Sequence, residues 1–121
     1  MPTLFFLILL LSEQPSTPDP GERAFQRCAA CHSLTSEDHG LAGPSLSGIH
    51  GRPAATSDGY AYSDALRRAG RHGLVWTDEN LDRFLTDPED AVPGTTMPYQ
   101  GGTAAERQAV IRFLKHRAVR P

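Results

Sequence analysis

Cys28-Ala29-Ala30-Cys31-His32 constrains this chain more than any other stretch, because it holds both cysteines of the sequence and sets a histidine directly after the second. On one turn of helix these spacings bring Cys28, Cys31 and His32 onto a single face. Two thiols there can add to the two vinyl groups of a haem while the imidazole reaches the iron from one side. Cys-x-x-Cys-His is the sequence pattern of c-type haem attachment. A fold built on it has to close around a large apolar macrocycle.

Other uses of a cysteine pair fit less well. A thioredoxin-like motif needs a strand before it and an alternating sheet, and neither is readable. A structural zinc site wants a second Cys or His pair at a suitable spacing, which His39, His50, His72 and His116 do not offer. A disulfide is sterically possible but leaves His32 unexplained. The other four histidines read as solvated or hydrogen-bonded side chains, with His39, His50 or His72 as replacement ligands should a sixth ligand of the iron dissociate.

The 121 residues, 39% hydrophobic and 21% charged, suffice for one small domain and leave no room for a second core. With a net charge of -2, one lysine (Lys115) and scattered arginines, the chain has no basic field for nucleic acid and no polybasic patch for a membrane. Leu4 to Leu11 is a continuous apolar run ended by Ser12-Glu13-Gln14-Pro15. Residues 1–12 therefore read as a signal peptide or membrane anchor, 13–18 as a linker and 19–121 as the domain. The run is too short to span a bilayer alone, since a helix needs roughly 20 apolar residues to do so. No Lys or Arg precedes it and no small-x-small cleavage site follows it, so both readings of the leader stand.

Beyond the linker, Asp19-Pro20-Gly21-Glu22 supplies a cap, a proline at the first helical position and a glutamate three after the cap. The helix it starts is expected to run through Phe25 into the cysteine pair, with Gly21 and Phe25 on one face. From Ser33 to about Tyr62 breakers dominate: Gly40, Gly43, Pro44, Gly48, Gly51, Pro53, Gly59. So long an irregular stretch makes sense in a small domain if it wraps a cofactor that serves as core. Three helices follow. The first spans Ser63 to Ala69 with Gly70 as a left-handed stop. The second is capped by Thr77, carries Leu81, Phe84 and Leu85, and is closed by Asp87-Pro88 with one further turn to Ala91. The third opens on the capping box Thr103-Ala104-Ala105-Glu106 and carries Val110, Phe113 and Leu114 along one stripe. The expected class is all-α, about four to five helices with long loops and no strand of convincing length.

Iron held by His32 has a second axial position, and Pro93-Gly94-Thr95-Thr96-Met97-Pro98 is suited to fill it. Met97 is the only methionine besides Met1. Proline after Met97 favours an extended backbone there, and Pro93-Gly94 makes a turn that lifts the thioether inward. A soft sulfur donor suits low-spin iron and raises its potential.

On these residues the chain resembles the class I cytochromes c, in the mitochondrial and bacterial cytochrome c2 branch, from Gly21 to Arg117. The resemblance rests on the attachment site, Pro-Gly-Thr-x-Met, Gly43-Pro44-Ser45-Leu46 followed by Gly48-Ile49-His50-Gly51-Arg52, Gly59-Tyr60-Ala61-Tyr62-Ser63, and Trp76 before a helix. It implies a class I cytochrome c fold around one covalent haem c, in which Gly21 and Phe25 of the first helix cross Val110 and Phe113 of the last. It implies axial ligation by His32 and Met97, with the Pro44 carbonyl accepting a hydrogen bond from the imidazole. It further implies that Arg52, Tyr62 and Trp76 hold one haem propionate, while Thr95 reaches the other propionate or an internal water. The chain departs from the family pattern at Leu66, usually asparagine, and at Phe84, often a tyrosine near the methionine sulfur. Lysines around the haem edge of mitochondrial relatives fall here at Glu89, Asp90 and Thr96, with Arg27 the main basic survivor. The segment from Arg67 to Val75 is about three residues longer than the mitochondrial pattern.

With both axial positions filled by protein, the iron has no open site for substrate. The expected function is that of a monomeric one-electron carrier, not an enzyme, in the periplasm. Its expected partners are a quinol-oxidising complex and a terminal oxidase, photosynthetic reaction centre or dehydrogenase. A haem subunit of a periplasmic dehydrogenase is the alternative, and a haem with an easily opened sixth site for gas binding or peroxidase activity is a third reading. Without the lysine ring, docking is expected to use a small apolar contact near Ala29, Ala30 and Tyr99. With so much irregular chain and so small a protein core, Cys28→Ser combined with Cys31→Ser should yield a chain that shows no cooperative unfolding by circular dichroism.

Overall fold

A computed structural model describes residues 19–35, 42–98 and 102–118. The expected leader and linker, together with His39 and Tyr99, lie outside these residues. Five helices appear among them: α1 (Pro20–Phe25), α2 (Asp64–Arg71), α3 (Asp78–Thr86), α4 (Pro88–Ala91) and α5 (Ala104–Ala118).

Each helix begins at a side chain that relieves its first unpaired amides. Asp19 accepts from Gly21 N–H at 2.9 Å. Ser63 accepts from Leu66 N–H, Thr77 from Asn80 N–H and Thr103 from Glu106 N–H, each at 3.2 Å. Asp87, which ends α3, also caps α4 by accepting from Asp90 N–H at 3.2 Å. Glu106 turns its carboxylate to Arg27, 3.2 Å away, and so ties α5 to the turns after α1.

Two helix ends differ from expectation. Helix α1 stops at Phe25 and the chain tightens into mixed turns through the cysteines, with Cys28 N–H bonded to Phe25 O at 2.8 Å and Cys31 N–H to Cys28 O at 3.0 Å. Gly70 does not stop α2 but lies inside it, because the backbone of Ala54 passes so close that a Cβ at Gly70 would stand 2.3 Å from the Ala54 carbonyl oxygen. The left-handed residue is Gly73, with φ +97°. Leu74 N–H donates to Ala69 O at 3.0 Å and Gly73 N–H to Gly70 O at 3.1 Å, a Schellman closure.

The irregular stretch is pinned to the segment before α3 by an antiparallel bridge between Pro53 and Val75. Gly51 N–H donates to Trp76 O, Trp76 N–H to Arg52 O and Ala54 N–H to Leu74 O, all at 2.9 Å. These bonds satisfy backbone that no helix serves, and they hold Trp76 in the interior at 5% exposure.

Helices α1 and α5 cross at Gly21, where a Cβ would come 2.6 Å from Phe113 Cβ and 2.8 Å from the Ala109 carbonyl oxygen. Four residues on, Phe25 packs its ring 5.5 Å from that of Phe113. On the far side Arg107 of α5 donates to Asp82 of α3 at 3.0 Å. Alanine at position 21 would gain about 1 kcal/mol in helix propensity, but the Ala109 carbonyl cannot yield without moving α5. Gly21→Ala should therefore lose about 1–3 kcal/mol net, read as a lower guanidinium midpoint at unchanged slope.

Candidate haem site

The turns after α1 set out the attachment residues. His32 N–H donates to Cys28 O at 2.9 Å, so one helical turn joins the first cysteine to the histidine. A strap from Ala42 to Leu46 lies along this segment, with Gly43 N–H donating to Cys31 O at 2.7 Å and Leu46 N–H to Ser33 O at 2.8 Å. The strap also sets the imidazole. His32 Nδ1 donates to the Pro44 carbonyl at 2.7 Å, and since a carbonyl can only accept, Nδ1 carries the proton and Nε2 keeps the lone pair. Gly43 lies flat against the ring, where a Cβ would stand 2.4 Å from Cε1 and 2.9 Å from Nε2.

Both cysteines are half-buried free thiols. Burial, and secondarily the nearby Cys31, push the Cys28 thiol above its ordinary value. A thiol held protonated at neutral pH is the opposite of the activated thiolate of a disulfide-exchange motif.

These groups border a cavity of about 420 Å³. Of the nine positions singled out from the sequence, Cys28, Cys31, His32, Pro44, Tyr62, Trp76, Thr95 and Met97 line it, and Arg52 does not. The Arg52 guanidinium is engaged with the carbonyls of Ser47 and Thr56, at 3.4 and 3.2 Å. Tyr62 accepts from Ser57 N–H at 3.0 Å, which leaves its own hydroxyl proton available. Tyr60, which the sequence marks only as part of the Gly59-Tyr60-Ala61-Tyr62-Ser63 motif, also borders the cavity, donates to the Ala42 carbonyl at 2.7 Å and stacks edge-on against Tyr62.

Met97 is half-buried against the core beside the cavity. It follows a turn in which Thr95 N–H donates to Val92 O at 3.0 Å. Leu66 and Phe84 line the same space, Phe84 with its ring 5.1 Å from that of Trp76. Much of the remaining wall is aliphatic, including Leu81, Leu85, Val110 and Leu114. Periodicity marks these residues only as helix interior; that they form the wall of a cofactor site follows from the cavity standing where a packed core otherwise would.

The residues present fit a haem c. The wall is apolar, as a porphyrin face requires; two thiols stand one turn apart; an imidazole nitrogen keeps its lone pair; and a thioether borders the same space.

Comparison with known proteins agrees. The cytochrome c family profile matches residues 18–118. Cytochrome c2 of Agrobacterium tumefaciens (strain II Chrys) is 44% identical over 81 residues, 67% of this chain and 73% of the relative. Cytochrome c2 of Rhodoblastus acidophilus is 39% identical over 98 residues, 80% of this chain and 89% of the relative. The solved structure of cytochrome c2 from Rhodospirillum centenum superposes with a TM-score of 0.72 at 35% identity, covering 82% of this chain and 98% of that one. With the attachment motif, the helical fold and the apolar cavity in agreement, the chain belongs to the class I cytochrome c family and is an electron-transfer protein carrying one covalently bound haem c.

Proposed function

We propose that this chain is a periplasmic one-electron shuttle whose haem iron is held between His32 Nε2 and Met97 Sδ. The observation that carries the reading is the His32 imidazole. Its Nδ1 is committed to Pro44, its ring is backed by Gly43, and it shares a cavity with the two attachment cysteines and the Met97 thioether. Bound haem supplies the reversible one-electron couple. The chain supplies everything that keeps the couple simple. Two protein ligands leave no open position for substrate or oxygen, and the apolar wall excludes water.

Pro44 fixes the tautomer of His32 and raises its basicity as a ligand. Tyr62, through its uncommitted hydroxyl proton, and Trp76, through its indole N–H, are the donors offered to a propionate, since a buried carboxylate left without partners would cost several kcal/mol or protonate. Arg52 adds those guanidinium donors it does not spend on Ser47 and Thr56. Thr95 is the donor for the second propionate or an internal water.

Electrons are proposed to arrive from a quinol-oxidising complex and to leave to a terminal oxidase, a photosynthetic reaction centre or a dehydrogenase. Ala29 and Ala30 are exposed beside the attachment cysteines and supply part of a small apolar contact. Glu89, Asp90 and Thr96 are exposed where mitochondrial relatives carry lysine, and Arg27 is paired with Glu106. Such a face docks without a basic ring. The periplasm follows from the apolar run of Leu4 to Leu11 and from the need to attach haem to reduced thiols outside the cytoplasm. No helix of the described residues is long and apolar enough to cross a membrane.

Met97→Ala should abolish the sulfur-to-iron charge-transfer band of the ferric protein and lower the potential by a sizeable part of the roughly 0.8 V that axial ligation spans. A spectrum unchanged in that variant would remove Met97 from the iron. Gly43→Ala, by pressing a methyl into the imidazole, should destabilise the holoprotein by about 1–3 kcal/mol and reduce haem incorporated per polypeptide, both measured on protein matured in the periplasm.

A further inference from the structure

We infer that Glu89 is a positioning residue for Met97, acting through the backbone amide of Gly94; this rests on the proposal that Met97 is an iron ligand. The Glu89 carboxylate accepts from Gly94 N–H at 3.0 Å, reaching from α4 over the turn that follows it. That turn has a definite type. Thr95 N–H closes on Val92 O at 3.0 Å, Pro93 occupies the second position, and Gly94 takes the third with φ +92°. Proline second and a positive φ third define a type II turn.

Types I and II differ chiefly in the peptide between the two central residues, which is rotated by about half a turn from one to the other. Gly94 N–H belongs to that peptide. A carboxylate tethered to α4 and bonded to it favours the type II orientation and ties the turn to α4, which fixes the base from which the chain runs on to Met97, three residues later. The frame that holds the carboxylate is itself fixed: Asp87 caps α4, and Val92 is buried at 3% exposure. On its other side the turn rests on α2, where a Cβ at Gly94 would stand 3.2 Å from Ala65 Cβ. Lysine, which mitochondrial relatives carry at this position, has no acceptor and cannot make the contact. The loop that presents Met97 is therefore held here by a side chain of the opposite charge.

The test uses ferric holoprotein and imidazole as a competing ligand, titrated while the sulfur-to-iron charge-transfer band is followed. Glu89→Ala should raise the apparent affinity for imidazole roughly fivefold, as loss of one exposed, charge-assisted hydrogen bond predicts. Glu89→Gln keeps an acceptor oxygen and should stay within about twofold of the parent. Asp90→Ala removes the same charge one residue away and should also stay within about twofold, because exposed charges act weakly at a distance. An unchanged affinity in Glu89→Ala overturns the inference, as does an equal rise in Asp90→Ala or a Glu89→Gln protein that matches Glu89→Ala. A parent protein that shows no such band overturns Met97 ligation itself, a separate outcome visible before any variant is made.

Discussion

Wrapping a short chain around a cavity of about 420 Å³ removes from its centre the side-chain contacts that normally hold a domain of this size together. The apolar residues of α3 and α5 cannot all pack on one another. Leu81, Phe84, Leu85, Val110 and Leu114 belong to the buried cluster and also face the cavity. The covalent haem is thus the missing part of the hydrophobic core as well as the redox centre. Burial of apolar surface at about 25 cal/mol per Å² makes a porphyrin, with two large faces, worth several leucines. What protein alone must supply is a shell that keeps its shape around that space, and polar backbone contacts do most of this.

The shell is closed at two places. On one side the crossing of α1 and α5 is brought to backbone contact by the absent side chain of Gly21, which sets the direction in which the chain enters the cysteine turns. On the other, the pairing of residues 51–54 with 74–76 fixes Trp76 and with it the start of α3. Between them the Ala42 to Leu46 strap delivers the Pro44 carbonyl to His32. An imidazole aligned by its second nitrogen meets iron at little further entropic cost, since rotation about its side-chain bonds is already restricted. The long irregular stretch therefore carries the strap, one side of the pairing, and Tyr60 and Tyr62, which explains why it is long.

Helix starts were readable because each is written locally, in a side chain and the amide two or three residues later. Asp19, Thr77 and Thr103 accept the bonds expected of caps, Ser63 accepts one as the residue before its helix rather than within it, and Asp87, expected to close α3, also opens α4. Ends were less readable because distant backbone decides them. Gly70 and Gly73 look alike as stop signals, yet Ala54 needs the first for close approach, so the left-handed turn falls to the second. The Pro53–Val75 bridge was invisible for the same reason: proline in a glycine-rich loop signals no strand, and its partner lies 22 positions away. For the site, the attachment motif was legible because covalent chemistry demands contiguous residues. The aliphatic wall was not, since a leucine facing porphyrin and a leucine facing protein obey the same periodicity.

The polarity of the cavity bears on the couple it holds. Oxidation leaves one more positive charge at the iron, and a charge in an apolar surrounding costs more than one among dipoles that can turn toward it. Leu66 and Phe84 line the cavity with hydrocarbon at the two positions where the family resemblance implies an amide and a phenol. The ion pairs of Arg107 with Asp82 and of Lys115 with Asp78 involve side chains that do not line the cavity, whereas Arg27, paired with Glu106 of α5, does. On the part of the wall formed by Leu66 and Phe84 fewer dipoles can turn toward the added charge, which there favours the reduced state. The same scarcity leaves little to rearrange when an electron arrives. Hydrocarbon at Leu66 and Phe84 therefore bears on the potential and on the reorganisation that accompanies transfer through one physical cause, fewer dipoles on that part of the wall.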